Sequence, residues 1–229
     1  MITINKRLQK VSEFIKGDYL ADIGSDHAYL PIYAITNKIV SKAIAGEVIK
    51  GPYEASIQNV QYYQLDDAIN VKLGDGLTVL DHNNKVDSIT ICGMGGPLIA
   101  KILAEGQNKL TNHPRLILQS NIQSYPIRLW LEQSGYTITN EEIMEEKKHI
   151  YEIIVADKLD CDMVLTEQER KFGPLLLQQR NEYFIRKWTH ELQSLKAIAH
   201  QLDPSTHHNR LAEVDTEIKL ISEVLNYEN

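Results

Sequence analysis

Leu20-Ala21-Asp22-Ile23-Gly24-Ser25-Asp26-His27-Ala28-Tyr29-Leu30-Pro31 is the stretch that decides the fold of this 229-residue chain. An apolar run leads into an acidic residue and a single glycine. Small and polar residues then open an amphipathic segment. That order predicts the first strand of a parallel α/β sheet, a tight turn and a helix start. In such sheets ligands bind outside the carboxyl ends of the strands, where the strand order reverses.

Outward from this stretch, short apolar runs alternate with helix-patterned segments as far as about residue 158, the signature of an α/β domain. Strands are expected at Tyr19–Ile23, Lys42–Val48, Ala68–Leu73, Ser88–Cys92, Arg115–Gln119, Tyr136–Glu145 and Ile150–Asp157. Crossover helices are expected at 28–38, 51–63, 77–81 (short) and 97–109, with another at 124–134. Only the Glu146–His149 turn separates the last two strands, so they should pair as an antiparallel hairpin. A doubly wound parallel sheet that closes on an antiparallel hairpin is the Rossmann-like class I methyltransferase sheet. The dinucleotide-binding arrangement is less compatible with that ending.

Beyond residue 160 the periodicity changes. Leu177, Phe184, Trp188, Leu192, Leu195, Ala199 and Leu202 recur at helical spacing within Phe172–Leu202. Asp203-Pro204-Ser205-Thr206-His207-His208-Asn209 breaks the pattern with a proline and small polar residues. Leu211, Val214, Ile218, Ile221 and Leu225 then form a second amphipathic run. The expected organisation is an α/β domain at 1–159 and a small α-helical, coiled-coil-like hairpin at 160–229.

Bulk properties narrow the class. The chain is 43% hydrophobic and 24% charged, ordinary for a soluble globular protein. It has no apolar run long enough to span a membrane and no signal-peptide pattern at its start. Cys92 and Cys161 are the only cysteines, which argues against a disulfide framework and makes the cytoplasm the default location. The net charge of −7 argues against a general nucleic-acid coat protein but leaves room for a local basic patch. A monomer is the expected state.

Candidate site residues cluster after the strands. Gly24 permits close backbone approach, while Asp22 and Asp26 bring negative charge to the crevice. A helix N-terminus that holds pyrophosphate is not ringed by carboxylates. A cationic or zwitterionic ligand such as S-adenosyl-L-methionine therefore fits better than a dinucleotide. Glu47, at the end of the second strand, can accept two hydrogen bonds from ribose hydroxyls; alone it also reads as a solvated carboxylate. Asp75, between Gly74 and Gly76, can reach the exocyclic amine of an adenine, although Asp-Gly is also a common turn.

Cys92-Gly93-Met94-Gly95-Gly96-Pro97 follows the fourth strand. Its glycines remove side chains where a ligand and a substrate base would meet, and Pro97 suits the first turn of a helix. A tight turn explains one of the three glycines and leaves two. No Asn-Pro-Pro-Tyr signature of an amino-methyltransferase is present, and Cys92 reads as a buried small hydrophobe. Gln119-Ser120-Asn121, after the fifth strand, places amides that either read the edge of a flipped base or cap the local turn. Asn5-Lys6-Arg7, Lys10 and Lys16 either grip phosphate or form a solvated helix face. His207-His208 lacks partners at metal-ligand spacing, and no Gly-x-Gly-x-x-Gly, P-loop or nucleophile elbow occurs.

Together Ala21–Pro31, Gly46-Glu47-Val48 with Gly51-Pro52, Gly74-Asp75-Gly76-Leu77 and Gly93-Met94-Gly95-Gly96 closely resemble the bacterial tRNA adenine(22)-N1 methyltransferase family. The resemblance runs through nearly the whole chain, including the helical region from Phe172-Gly173-Pro174. Asp-His-Ala-Tyr-Leu-Pro and Gly-Met-Gly-Gly make it more specific than a generic methyltransferase signature. One departure is Ser25, where threonine is expected in many relatives; both keep a hydroxyl.

The resemblance implies S-adenosyl-L-methionine as cofactor, a D-arm adenine of tRNA as substrate, and RNA contact by the C-terminal helices. Asp22, Gly24, Glu47, Asp75, Gly76, Gly93 and Met94 are the expected cofactor contacts. Arg7, Tyr29, Gly95 and Asn121 are expected on the substrate side, and Asp26 or His27 as the group that orients the base or accepts its proton. No metal is expected. The competing readings are a methyltransferase for another RNA base or a small molecule, and a catalytically inactive cofactor- or RNA-binding module. A nicotinamide-dependent oxidoreductase ranks third for want of phosphate-binding glycines.

Overall fold

A computed structural model describes residues 2–81, 85–161, 163–203 and 205–226. Pro204, part of the expected helix break, lies outside the described residues. The chain divides into two compact units, Met1–Gly173 and Pro174–Asn229.

The first unit is built on a seven-stranded sheet: β1 (Tyr19–Ile23), β2 (Lys42–Glu47), β3 (Ile69–Leu73), β4 (Ser88–Gly95), β5 (Arg115–Ile122), β6 (Thr137–Glu146) and β7 (His149–Asp157). Their spatial order is β3-β2-β1-β4-β5-β7-β6. The first five strands are parallel, and β7 runs antiparallel between β5 and β6. The order reverses between β1 and β4, so the crevice expected of such sheets opens at their carboxyl ends. Leu20, Ile44, Ile89, Ile91, Leu116, Ile117 and Leu118 are fully buried or nearly so, as central parallel strands covered on both faces require.

Helices α1 (Lys6–Ser12), α2 (Tyr29–Thr36), α3 (Lys50–Tyr62), α4 (Gly96–Glu105) and α5 (Tyr125–Gln133) supply the covering layers. Asn5 caps α1 by accepting from the Leu8 amide, and Pro97 stands in the first turn of α4. The expected 77–81 helix is a single 3-10 turn at Gly76–Val79. Lys147 and Lys148 form the two-residue β6–β7 turn with φ of 49° and 68°. Such positive φ values are those of a primed hairpin turn.

Two strands run further than the sequence suggests. Instead of ending at Cys92, β4 continues to Gly95 through register shifts at Cys92/Met94 and Met94/Gly95. Likewise β5 continues past Gln119 to Ile122. The glycine run is thus a bulged strand end, and Asn121 sits on a strand.

The first unit also extends beyond residue 159 to Gly173. A short helix, α6 (Glu167–Phe172), opens with a reciprocal Thr166–Glu169 capping box. Arg170 pairs with Glu132 of α5 at 2.7 Å, and Phe172 is buried. These contacts bind residues 165–173 to the sheet domain.

The second unit comprises α7 (Pro174–Gln179), α8 (Glu182–Gln201) and α9 (His208–Asn226). The expected continuous helix from Phe172 is interrupted, because Arg180 adopts φ 42° and Asn181 caps a new helix by accepting from the Phe184 amide at 3.0 Å. Phe184, Trp188 and Leu195 of α8 and Val214, Ile221 and Val224 of α9 are buried. Arg180, just before α8, donates to the Leu225 carbonyl at the far end of α9, so the two long helices run antiparallel.

Candidate active site

The carboxyl ends of β1, β2, β3, β4 and β5 meet around the Gly24 turn. The Gly24 and Ser25 amides donate to the Gly46 carbonyl at 2.9 and 3.1 Å, folding the loop over the end of β2. Gly24 has φ 68°, and Asp26, His27 and Ala28 have φ of 49°, 69° and 59°. Asp and His tolerate the left-handed region better than most residues. Ala28 has no such excuse, and a left-handed L-residue costs about 1–2 kcal/mol. Side chains hold the turn: Asn59 of α3 donates to the His27 carbonyl at 2.9 Å, and Ala28 is fully buried.

Asp22, at the end of β1, is buried. Its Oδ2 accepts from the Ser25 hydroxyl at 2.7 Å and its Oδ1 from Thr90 at 2.6 Å. Burial pushes its carboxyl up to about 6, against the pull of the two hydroxyls. Glu47, at the end of β2, is buried as well. Burial raises its pKa, opposed by the backbone amide of His27, the Ser56 hydroxyl and the amide of Asp26. Ser56 and Asn59, three residues apart on α3, were not singled out in the sequence; their one signal is polar character on the face that meets the loop.

Asp75 is exposed after β3, and its backbone carbonyl accepts from both the amide and the hydroxyl of Thr78. Between Glu47 and Asp75 lie Val48, Ile49 and Leu73, exposed by 58%, 63% and 53%. Two carboxylates with exposed apolar side chains beside them suit a nucleoside: acceptors for ribose hydroxyls and an exocyclic amine, with apolar surface for a base. The residues therefore fit S-adenosyl-L-methionine. Gly76, with φ 52°, turns the chain away from Asp75 and abuts Ile102.

On the β4 side, Gly93 has φ 79°, and a Cβ on Gly24 would collide with the Met94 methyl. Met94 thus borders the Gly24 turn. A Cβ on Gly95 would meet only Ile122 and Pro97 at ordinary distances, whereas one on Gly96 would strike the Gln123 carbonyl. Of the three glycines, Gly96 is required by packing and Gly93 by backbone conformation. At Gly95 a Cβ would be accommodated in ordinary contact.

Asn121 is exposed and its amide makes local bonds. Its Nδ2 donates to the Gly93 carbonyl at 2.7 Å, and its Oδ1 accepts from Gln119 at 3.2 Å. The local-capping alternative describes it. Arg7 leaves the solvated face of α1 to donate to Gln119 Oε1 and to stack 5.3 Å from the centre of the Tyr151 ring. Lys10 instead pairs with Glu13 and Glu142.

Asp26, His27 and Tyr29 stand on the rim. The Asp26 side chain is 82% exposed, with its Oδ1 3.5 Å from His27 Nε2. The His27 and Tyr29 rings lie 5.5 Å apart. Burial pushes the Cys92 thiol far up, which removes it as a nucleophile. No group of three His, Cys, Asp or Glu suited to a metal occurs among the described residues.

The chain's relatives share its fold. The family described as tRNA (adenine(22)-N(1))-methyltransferase matches residues 20–223. The Bacillus subtilis tRNA (adenine(22)-N(1))-methyltransferase is 41% identical over 99% of this chain and 98% of its own length. The structure of Streptococcus pneumoniae Sp1610 in complex with S-adenosyl-L-methionine superposes with a TM-score of 0.89 at 39% identity, covering 98% of this chain and 100% of that one. The M. capricolum TrmK complex with S-adenosyl-homocysteine gives 0.87 at 30% identity, covering 97% and 98%. Over a sheet, a crevice and a helical unit that match from end to end, the chain belongs to the tRNA (adenine(22)-N(1))-methyltransferase family.

Proposed function

We propose that this chain methylates N1 of adenine 22, in the D-arm of tRNA, with S-adenosyl-L-methionine as donor. The observation that carries the reading is the placement of Glu47 and Asp75 at the ends of adjacent strands, with Val48, Ile49 and Leu73 exposed next to them in sequence. When bound, S-adenosyl-L-methionine supplies an electrophilic methyl group on a sulfonium.

The protein's own residues then bind and align. Glu47 holds the ribose hydroxyls and Asp75 the adenine amine of the cofactor. The Gly24 turn and Met94 limit its position, while Gly76 and Gly93 shape the adjoining backbone. The target base approaches over Gly95, which carries no side chain, with Tyr29 on the rim.

Adenine N1 carries an in-plane lone pair, so alignment is the main requirement; proximity is worth up to about 7–11 kcal/mol in well-oriented systems. Because N1 is paired or stacked within RNA, the base must be exposed or flipped. No strong base is needed, since the methylated adenine is cationic and loses its proton afterwards. Asp26 or His27, both on the rim, orient the base or take that proton.

The second unit serves as an RNA-contacting, coiled-coil-like hairpin. The seven-residue spacing of Trp188 with Leu195 and of Val214 with Ile221 supports a heptad seam. We take the functional division to follow the two helical and α/β parts of the chain, and the working form to be a cytoplasmic monomer. No described helix is long and apolar enough to cross a membrane.

The deciding experiment is methyl transfer from labelled S-adenosyl-L-methionine to unmodified tRNA, with the nucleoside identified by mass spectrometry. N1-methyladenosine that disappears when adenine 22 is replaced supports the reading. Cofactor binding without transfer overturns it in favour of a binding module or another acceptor.

A further inference from the structure

The bulge that ends β4 is held by side chains where its ladder fails. Register shifts on either side of Met94 interrupt the pairing with β5. At Gly93, side chains of β5 take over. The Gly93 amide donates to Gln119 Oε1 at 2.9 Å, and the Gly93 carbonyl accepts from Asn121 Nδ2 at 2.7 Å. Gln119 Nε2 donates to Asn121 Oδ1 at 3.2 Å, closing the circuit. The Arg7 guanidinium adds a second donor on Gln119 Oε1. With two donors on its oxygen and an acceptor at its nitrogen, the Gln119 amide has one orientation.

Core packing does not explain this arrangement. Gln119 is fully buried, but the peptide it fixes is exposed at the crevice, and a Cβ on Gly93 would find only Arg7 nearby. Next along the chain stand Met94, against the Gly24 turn, and Gly95, where a Cβ would make only ordinary contacts. The fixed peptide therefore leads directly into the segment that borders the Gly24 turn.

We propose that Gln119, acting through the Gly93 peptide together with Asn121 and Arg7, is a positioning residue for methyl transfer. It sets the bulge so that Met94 and Gly95 hold donor and acceptor in line. The proposal rests on the methyltransferase reading above. A misplacement of about 1 Å at such a site can cost about 100-fold in rate. The expected signature is loss of rate with binding preserved.

The test compares Gln119→Leu, Gln119→Glu, Asn121→Ala and the Gln119→Leu/Asn121→Ala double variant. Single-turnover transfer is measured at saturating tRNA and cofactor, S-adenosyl-L-methionine affinity by calorimetry, and Gly93 amide exchange by NMR on the protein alone. Gln119→Leu should slow transfer by about 10- to 100-fold, and Asn121→Ala by about tenfold. Cofactor affinity should stay within about threefold of wild type. Gly93 exchange should accelerate in Gln119→Leu. Gln119→Glu keeps an oxygen for the Gly93 amide and for Arg7, and should restore both protection and most of the rate. Because both residues act on one peptide, the double variant should be little worse than Gln119→Leu, and not the product of the two effects.

Wild-type rates in folded Gln119→Leu and Asn121→Ala, with Gly93 deprotected, would overturn the proposal. So would a loss of transfer that simply tracks lost cofactor affinity. If Gln119→Leu does not fold, the exposed Asn121→Ala and the isosteric Gln119→Glu decide the matter. Absence of transfer by the wild-type chain would instead overturn the underlying methyltransferase reading; the Gly93 exchange rates would still report whether Gln119 fixes the peptide.

Discussion

Thr90 on β4 donates its hydroxyl to Asp22 on β1 at 2.6 Å, tying the two strands together where the sheet order reverses. This buried carboxylate is thus part of the sheet's wiring. Burial raises its pKa from 3.8 to about 6. Between those values the native state holds more protons than the unfolded chain, so this group's contribution to stability falls as pH rises through that window. The expected total is about 3 kcal/mol, complete above pH 6. Asp22→Asn removes the titration. Urea unfolding from pH 4 to 8 should show the variant gaining stability relative to wild type as pH rises, and a constant difference would refute the assignment.

Glu47 is buried at the end of β2 and accepts from the Ser56 hydroxyl at 3.4 Å. Burial raises its pKa while the nearby amides of His27 and Asp26 lower it, so the acid that would hold ribose is coupled to the left-handed turn. Glu47→Gln should weaken S-adenosyl-L-methionine binding by about 10- to 100-fold, the range expected for losing hydrogen bonds to a charged group. Calorimetry measures this directly. Unchanged affinity would place the ribose elsewhere.

Arg128 tests the fold apart from the site. Fully buried on α5, it donates to Glu141 at 2.8 Å and to Glu152 at 2.9 Å. It also donates to the Arg170 and Lys171 carbonyls at the end of α6. Arg128→Met strands two buried carboxylates, a change expected to cost about 3–5 kcal/mol. Thermal unfolding should show the loss, while the fraction that remains folded keeps its cofactor affinity.

The second unit carries Arg186, stacked 5.5 Å from the Tyr183 ring, and Lys187, 4.8 Å from the Trp188 ring. If both reach phosphates, replacing them with alanine should reduce the magnitude of the log K against log salt slope for tRNA by about 1.4–1.8. Cofactor affinity should stay constant. An unchanged slope would leave the hairpin without a phosphate-binding role at these positions.

Local patterns made the parallel strands legible: the first strand is read at Tyr19–Ile23 in both sequence and structure. The end of β4 was not. Gly93-Met94-Gly95-Gly96 reads as a turn, because nothing local shows that side chains at 119 and 121 replace the missing ladder bonds. Arg128 likewise looks like a surface arginine on a helix. Its partners stand 13 and 24 residues away, and only the packed sheet brings them together. The positions of Glu47 and Asp75 at strand ends are legible because strand ends and glycine turns leave a mark in sequence. That Asp22 and Glu47 are both buried leaves none.

Gly95 and Gly96 are adjacent and chemically identical, yet the structure assigns them different reasons for lacking a side chain. A methyl on Gly96 would strike the Gln123 carbonyl, a backbone atom that cannot move aside, whereas one on Gly95 would rest 3.7 Å from Ile122 and 3.8 Å from Pro97. Gly96→Ala should therefore destabilise the fold by about 1–3 kcal/mol, the usual cost of overpacking. Gly95→Ala should leave thermal unfolding nearly unchanged but crowd the approach of the base, raising KM for tRNA or lowering the transfer rate at normal cofactor affinity. Melting curves and single-turnover assays on the pair separate the two roles. If Gly95→Ala transfers methyl groups at the wild-type rate, the base does not approach over that position.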